Sequence, residues 1–251
     1  MTSAEGEEVL PGFLNLGQVV RVGDTVRRPR GAGADVVEAL LGHLFDCGFA
    51  AAPRFLGVDE QGRQILEFVA GDVHRQPPWQ RDDAVNTQRL GDIARLLREL
   101  HEATATFVPP EASSPQRPLP LVGPTWTHGD PGYPNIVYRG DQIAALIDWE
   151  FAAPGDALYD PASLVALGVR GPRVDATDNE RREAATAAAF RAVADGYAMT
   201  EAQRMAVPAA AAVILEDTAE FLGDRASPGV PEHLRWRADW FRGNASRLVD
   251  S

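Results

Sequence analysis

Valines and a threonine flank a Gly23-Asp24 pair in Val19-Val20-Arg21-Val22-Gly23-Asp24-Thr25-Val26-Arg27-Arg28. That pattern predicts two short strands joined by a two-residue turn. Beyond Pro29 and the glycines at 31 and 33, Val36, Val37, Leu40, Leu41 and Leu44 recur at helical spacing. They predict a helix capped by Asp35 and ending near Gly48. Residues 54–58 and 64–69 read as two more strands around the turn-forming Asp59-Glu60-Gln61-Gly62. From residue 72 the chain turns helical, with Asp82 or Asp83 as a cap and Leu90, Ile93, Leu97 and Leu100 on one face to about Thr104. Six prolines between 108 and 124 exclude regular structure there. A second hairpin is predicted over 136–147 around Gly140-Asp141, followed by helices near 160–168, 179–198, 201–223 and 231–248.

Charge and composition narrow the function classes. Twenty-four basic against 36 acidic residues give a net charge of -12, which repels phosphate backbones and argues against a nucleic-acid partner. All the basic residues are arginine, so chemistry that needs a lysine is excluded. The single cysteine, Cys47, forms no internal disulfide and reads as a small core residue. The acidic start lacks the basic and apolar regions of a signal peptide, and no apolar run reaches membrane-spanning length. A soluble cytoplasmic protein without a membrane partner is expected.

The densest chemistry lies in Thr127-His128-Gly129-Asp130-Pro131-Gly132-Tyr133-Pro134-Asn135 and, on the far arm of the hairpin, Ile147-Asp148-Trp149-Glu150. With a turn centred between Gly140 and Asp141, Asn135 is expected opposite Leu146, which puts Asp148 on the face of Asn135. Such diagonal neighbours lie about 7–8 Å apart, near enough to share a cation. Asp130 is placed to reach the same space. An oxygen-rich set without cysteine suits Mg²⁺, which completes its shell with substrate phosphates. Asp-x-x-x-x-Asn followed by a strand-borne Asp is also the phosphoryl-transfer layout of protein kinases. Asp130 and Asn135 taken alone are also ordinary turn residues.

These segments, with Gly155-Asp156-Ala157-Leu158-Tyr159-Asp160, resemble the aminoglycoside phosphotransferase and choline-kinase-like family of small-molecule kinases. The resemblance implies an α+β, bilobal, protein-kinase-like fold, with a short β-rich N-lobe at 1–71 and a mainly helical C-lobe at 72–251. It implies Asp130 as catalytic base, Asn135 and Asp148 as magnesium ligands, and His128 and Asp160 as braces of the catalytic loop. From the residues alone, His128 reads as a hydrogen-bonded core histidine, and Asp156 and Asp160 as helix caps.

On the nucleotide side, alternation along the second strand sends Arg28 to the inner face with Val26, making it the phosphate contact in place of a lysine, with Glu38 of the following helix as its partner. The segment 66–71 resembles an interlobe hinge in which Glu67 and Val69 offer backbone groups to the base of ATP or GTP. Gly12, Gly17 and Gly23 make no phosphate-covering glycine motif. For the acceptor, the net charge and the acidic Glu216, Asp217 and Glu220 suggest a cationic small molecule, an aminoglycoside or another amino-bearing antibiotic or metabolite. The expected activity is transfer of the γ-phosphoryl of a Mg-nucleoside triphosphate to its hydroxyl. The rival reading is a non-catalytic nucleotide- or ligand-binding module that keeps the fold.

Overall fold

The computed structural model describes residues 6–10, 18–74, 86–168, 171–174 and 176–249. The N-terminal hairpin forms as its turn demands, with β2 (Val20–Val22) and β3 (Thr25–Pro29) joined through Gly23 at a φ of 58°. These strands, β1 (Glu8–Val9), β4 (Phe55–Val58) and β5 (Arg63–Glu67) make an antiparallel sheet in the order β1-β2-β3-β5-β4. Asp59 shapes the β4–β5 turn by accepting from the backbone N–H groups of Gln61 and Arg63. Between β3 and β4 runs α1 (Ala34–Asp46), which buries Val36, Val37, Leu40, Leu41 and Leu44. Its N-cap is Gly33 in a left-handed conformation; Asp35 sits inside the first turn, where an acid favours the helix dipole, instead of capping it. Cys47 is exposed and not in the core: helical spacing from Leu40 and Leu44 would bury it, but α1 ends at Asp46 and Cys47 is its C-cap.

The next strand, β6 (Asp72–Val73), pairs with β8 (Ile136–Arg139), which pairs with β9 (Gln142–Leu146). The caps expected at Asp82 and Asp83 lie outside the described residues. The helix α2 (Thr87–Ala103) begins instead at Asn86, whose side chain accepts from the Arg89 N–H at 3.0 Å. After the proline-rich connection come β7 (Thr125–Thr127) and its partner β10 (Ala153–Gly155). Four helices follow close to expectation: α3 (Tyr159–Leu167), α4 (Asn179–Gly196), α5 (Glu201–Leu222) and α6 (Val230–Gly243). The last expected helix is broken: Asn244 ends α6 and α7 (Ala245–Val249) starts anew. The core is continuous from α1 (Leu40, Leu44) through α2 (Leu97, Leu100) and the hairpin (Ile136, Leu146) to α4–α6 (Phe190, Ile214, Phe241).

Hairpin register departs from the expectation by one residue. Arg139 faces Gln142 and Tyr138 faces Ile143, but an irregularity follows, so that Val137 faces Ala145 and Ile136, not Asn135, faces Leu146. The extra residue, Ala144, bulges the second arm. Asn135 is thereby left in a short 3-10 turn, its carbonyl accepting from the Ile147 N–H at 2.8 Å.

Candidate active site

The segment 127–130 leaves β7 and is held from beneath by one carboxylate. Asp160, fully buried at the start of α3, accepts from the backbone N–H groups of His128 (2.8 Å) and Gly129 (3.0 Å). His101 Nε2 on α2 stands 3.0 Å from the same carboxylate, and its Nδ1 is 2.6 Å from the Tyr197 hydroxyl. Burial by itself would raise the Asp160 pKa; the His101 hydrogen bond and charge and the loop N–H groups outweigh it and hold the carboxyl below its ordinary range. His128 is a bracket: its Nδ1 accepts from the Asp130 N–H at 3.3 Å and its Nε2 donates to the Ile147 carbonyl at 3.1 Å. That ties the loop to the segment that carries Asp148. Gly129 has a φ of 84° and packs on the backbone of Phe151, where a Cβ would stand 2.7 Å from the carbonyl carbon.

Asp130 emerges from this loop at the cleft. Asn135 Nδ2 donates to its carboxylate and to its backbone carbonyl, both at 2.9 Å, which leaves Asn135 Oδ1 as an acceptor. Removal of water pushes the Asp130 pKa up, and the charges of Asp148 and Asp160 push the same way, against the nearby His128 and the Asn135 hydrogen bond. The influence of Asp148 reflects the closeness of the two carboxylates. Asp148 reaches that position by a left-handed backbone, φ 66° and ψ 62°, so a local twist and not the expected strand alternation brings it round.

Arg28 comes down from β3 to meet it. Its Nη1 donates to Asp148 Oδ1 at 2.9 Å and its Nη2 to Glu150 Oε2 at 2.6 Å. The expected pairing of Arg28 with Glu38 does not form. Arg30, just past the end of β3 and nearer the start of α1, takes Glu38, which also accepts from Gln64 at 3.0 Å. Arg27 points to the opposite face and lies 3.7 Å from Asp59. Sequence reasoning missed Glu150 as a partner of Arg28; its place two residues after Asp148 was the only available signal.

The remaining residues are placed as follows. The Glu67 N–H donates to the Arg54 carbonyl at 2.9 Å, so that amide is committed within the sheet, while Val69 lies just beyond the end of β5. On α5, Asp217 pairs with Arg117 and Glu216 with Arg242, whereas Glu220 is exposed. Burial raises the Tyr159 pKa above its ordinary value, with the charges of Asp160, Asp217 and Asp130 adding to it and Arg117 opposing, so Asp217 lies near this tyrosine, its own charge met by Arg117. Phe151 and Phe221 stack edge-to-face at 5.7 Å, and Arg117 and Arg225 both lie over the Phe221 ring. Trp126 and Trp149 are buried; Trp149 donates to the Leu146 carbonyl and packs on the His128 ring, so neither is free to stack on a ligand. Gly12 and Gly17 lie outside the described residues.

A family model, the phosphotransferase enzyme family, matches residues 115–198, the span that holds Asp130, Asn135, Asp148 and Asp160. The trifolitoxin immunity protein of Rhizobium leguminosarum bv. trifolii is 34% identical over 194 residues, covering 74% of this chain and 72% of that protein. Among solved structures, amicoumacin kinase hAmiN in complex with AMP-PNP, Ca²⁺ and Ami aligns with a TM-score of 0.63 at 12% identity, over 96% of this chain and 88% of that one. A choline/ethanolamine kinase family protein from Mesorhizobium loti gives 0.57 at 18% identity, over 99% and 90%. The GDP complex of aminoglycoside 2'-phosphotransferase-IIIa gives 0.57 at 15% identity, over 99% and 92%. At these identities the solved structures share the fold.

Proposed function

The chain belongs to the phosphotransferase enzyme family and has its kinase-like fold, and from that premise we propose that it moves the γ-phosphoryl of a magnesium-bound nucleoside triphosphate, ATP or GTP, to a hydroxyl of a small molecule. One observation carries the reading: Arg28, from the N-terminal sheet, converges on Asp148 beside Asp130 and Asn135. A cation, two metal-type oxygen donors and a base therefore meet at one place. Asn135 Oδ1 and the second oxygen of Asp148 would hold the ion, and among the described residues no three acidic, histidine or cysteine side chains form a cage around them. Two protein oxygens completed by phosphates suit Mg²⁺, which when bound neutralises charge on the transferring group. Arg28 swings from Asp148 to the phosphates. Asp130 orients the acceptor hydroxyl and takes its proton as the new O–P bond forms and the β–γ bridge breaks. Asp160 and His128 hold the loop rigid, so the base needs no reorganisation. The reading divides the chain near residue 71, with nucleotide between the two parts.

The acceptor lies on the side of Phe151, Phe221 and Tyr159. Support for a cationic acceptor is weaker than composition suggests, because Asp217 and Glu216 already have arginine partners. Resistance to a toxin fits the name of the trifolitoxin immunity protein. Among the described residues no helix is long and apolar enough to cross a membrane.

The test is Asp130→Asn assayed with Mg²⁺, ATP and GTP against aminoglycosides, other antibiotics, macrolides, choline and sugars. Acceptor-dependent transfer that falls by at least about 10³-fold in the variant, with nucleotide binding kept, is the expected outcome. Turnover insensitive to Asp130→Asn, or no nucleotide binding by the wild type, would overturn it in favour of a ligand-binding module.

A further inference from the structure

Arg28 has two carboxylate partners, and they differ in their access to water. The Asp148 side chain is 39% exposed and the Glu150 side chain 16%, while that of Arg28 is 12% exposed. Its Nη1 meets Asp148 at 2.9 Å and its Nη2 meets Glu150 at 2.6 Å. An arginine fork holds two different oxygens at once, so release of one contact leaves the other in place.

The backbone fixes Glu150 from both sides. It is the middle residue of the 3-10 turn Trp149–Phe151 that follows the left-handed Asp148. Trp149 is buried, donates from its ring to the Leu146 carbonyl and packs on His128. The Phe151 backbone lies against Gly129, and the Ala152 N–H closes the turn on the Trp149 carbonyl at 3.0 Å. The contacts that place the catalytic loop therefore also place Glu150. On the sheet side the helix glutamate is committed elsewhere. Gln64, paired across the sheet from Arg28, is buried and donates to Glu38, whose two oxygens also accept from Arg30.

We propose, on the phosphoryl-transfer reading of this cleft, that Glu150 is a positioning residue for the reaction: it keeps hold of Arg28 Nη2 when Asp148 turns to the metal ion, so that Nη1 is aimed at the phosphates. Asp148 is the more open of the two carboxylates, the one an arriving ion and its phosphates reach first. Glu150 lies further from water, where its ion pair with Arg28 is less screened. With Asp148 given over to the ion, Glu150 offsets the Arg28 charge and restricts its rotamers. Without Glu150 the nucleotide has to order Arg28 unaided, and binding weakens.

Calorimetric titration with ATP and GTP, at low and at saturating Mg²⁺, of the wild type, Glu150→Gln, Arg28→Met and the double variant tests the proposal. Glu150→Gln, nearly isosteric, raises the nucleotide Kd about 10-fold. In the Arg28→Met background the same change moves Kd by less than about twofold, because the group that Glu150 orients is gone. The loss in Glu150→Gln is the same at both Mg²⁺ levels. A loss that shrinks as Mg²⁺ rises makes Glu150 a metal ligand, and an equal loss without Arg28 makes it a part of the turn only; either overturns the positioning role. So does a Kd unchanged by Glu150→Gln while Arg28→Met still weakens binding. A wild type that binds neither nucleotide overturns the phosphoryl-transfer reading itself and the role of Glu150 with it.

Discussion

Asp130 and Asp160 are both carboxylates in the same loop architecture, and their surroundings drive them in opposite directions. Asp160 has hydrogen bonds from His101 and two loop N–H groups, which keep it ionised; at Asp130 burial and two neighbouring negative charges outweigh His128 and one amide. The raised pKa of Asp130 means its folded state favours the proton. Its contribution to stability is therefore present below the ordinary Asp pKa and is lost as pH rises through the raised value. Asp130→Asn is accordingly expected to unfold a few degrees above the wild type at pH 8, with the gap closing as pH falls towards 4, as thermal melts across pH would read. For the proposed role of Asp130 as base the sign for catalysis is opposite, since a base must be ionised: kcat/KM is expected to fall on the acid side at a pH above that of an unperturbed Asp. At Gly129 the constraint is steric. A methyl group there meets the Phe151 carbonyl and demands a positive φ of an L-residue. Gly129→Ala should reduce turnover by at least about 100-fold even where circular dichroism shows the fold retained, because a 1 Å misplacement of the base is enough.

At the scale of elements, helix ends decide how firmly the site is backed. The start of α5, which carries Asp217 to the cleft border, is closed by a reciprocal pair: Thr200 Oγ1 accepts from the Gln203 N–H at 3.3 Å and Gln203 Oε1 accepts from the Thr200 N–H at 2.9 Å. Losing such a cap costs about 1 kcal/mol, so Thr200→Ala should lower Tm by about 2–4 °C without changing KM for either substrate. The β2–β3 turn at Gly23-Asp24 and the apolar face of α1 were legible in the sequence; the Thr200–Gln203 box emerged only with the structure. The cap of α1 was misread because Asp35 has the right side chain, whereas Gly33 has the right backbone. The split between α6 and α7 was missed because Leu234, Ala238, Phe241 and Leu248 keep apolar spacing across Asn244.

Across the whole molecule, Arg28 links sheet and helical region through Asp148 and Glu150, alongside the backbone bond from the Leu146 N–H to the Ala51 carbonyl. Replacing Arg28 with Met removes a charge-assisted contact to phosphate worth about 1.5–3 kcal/mol, so nucleotide Kd should rise by about 10–100-fold. Calorimetric titration of wild type and variant with the nucleotide checks it, and Glu38→Gln should leave the Kd within about twofold, since Glu38 is held by Arg30. The sequence by itself determined the order of elements, the faces they bury and the motifs that make Asp130, Asn135, Asp148 and Arg28 the candidates, because periodicity, turn chemistry and motif spacing are local properties of the chain. Only the tertiary structure decided which carboxylate answers which arginine, and that one bulged residue shifts the hairpin register while Asp148 takes a left-handed backbone. Those outcomes depend on competition among groups distant in sequence, settled by distance and burial, and a linear pattern carries neither.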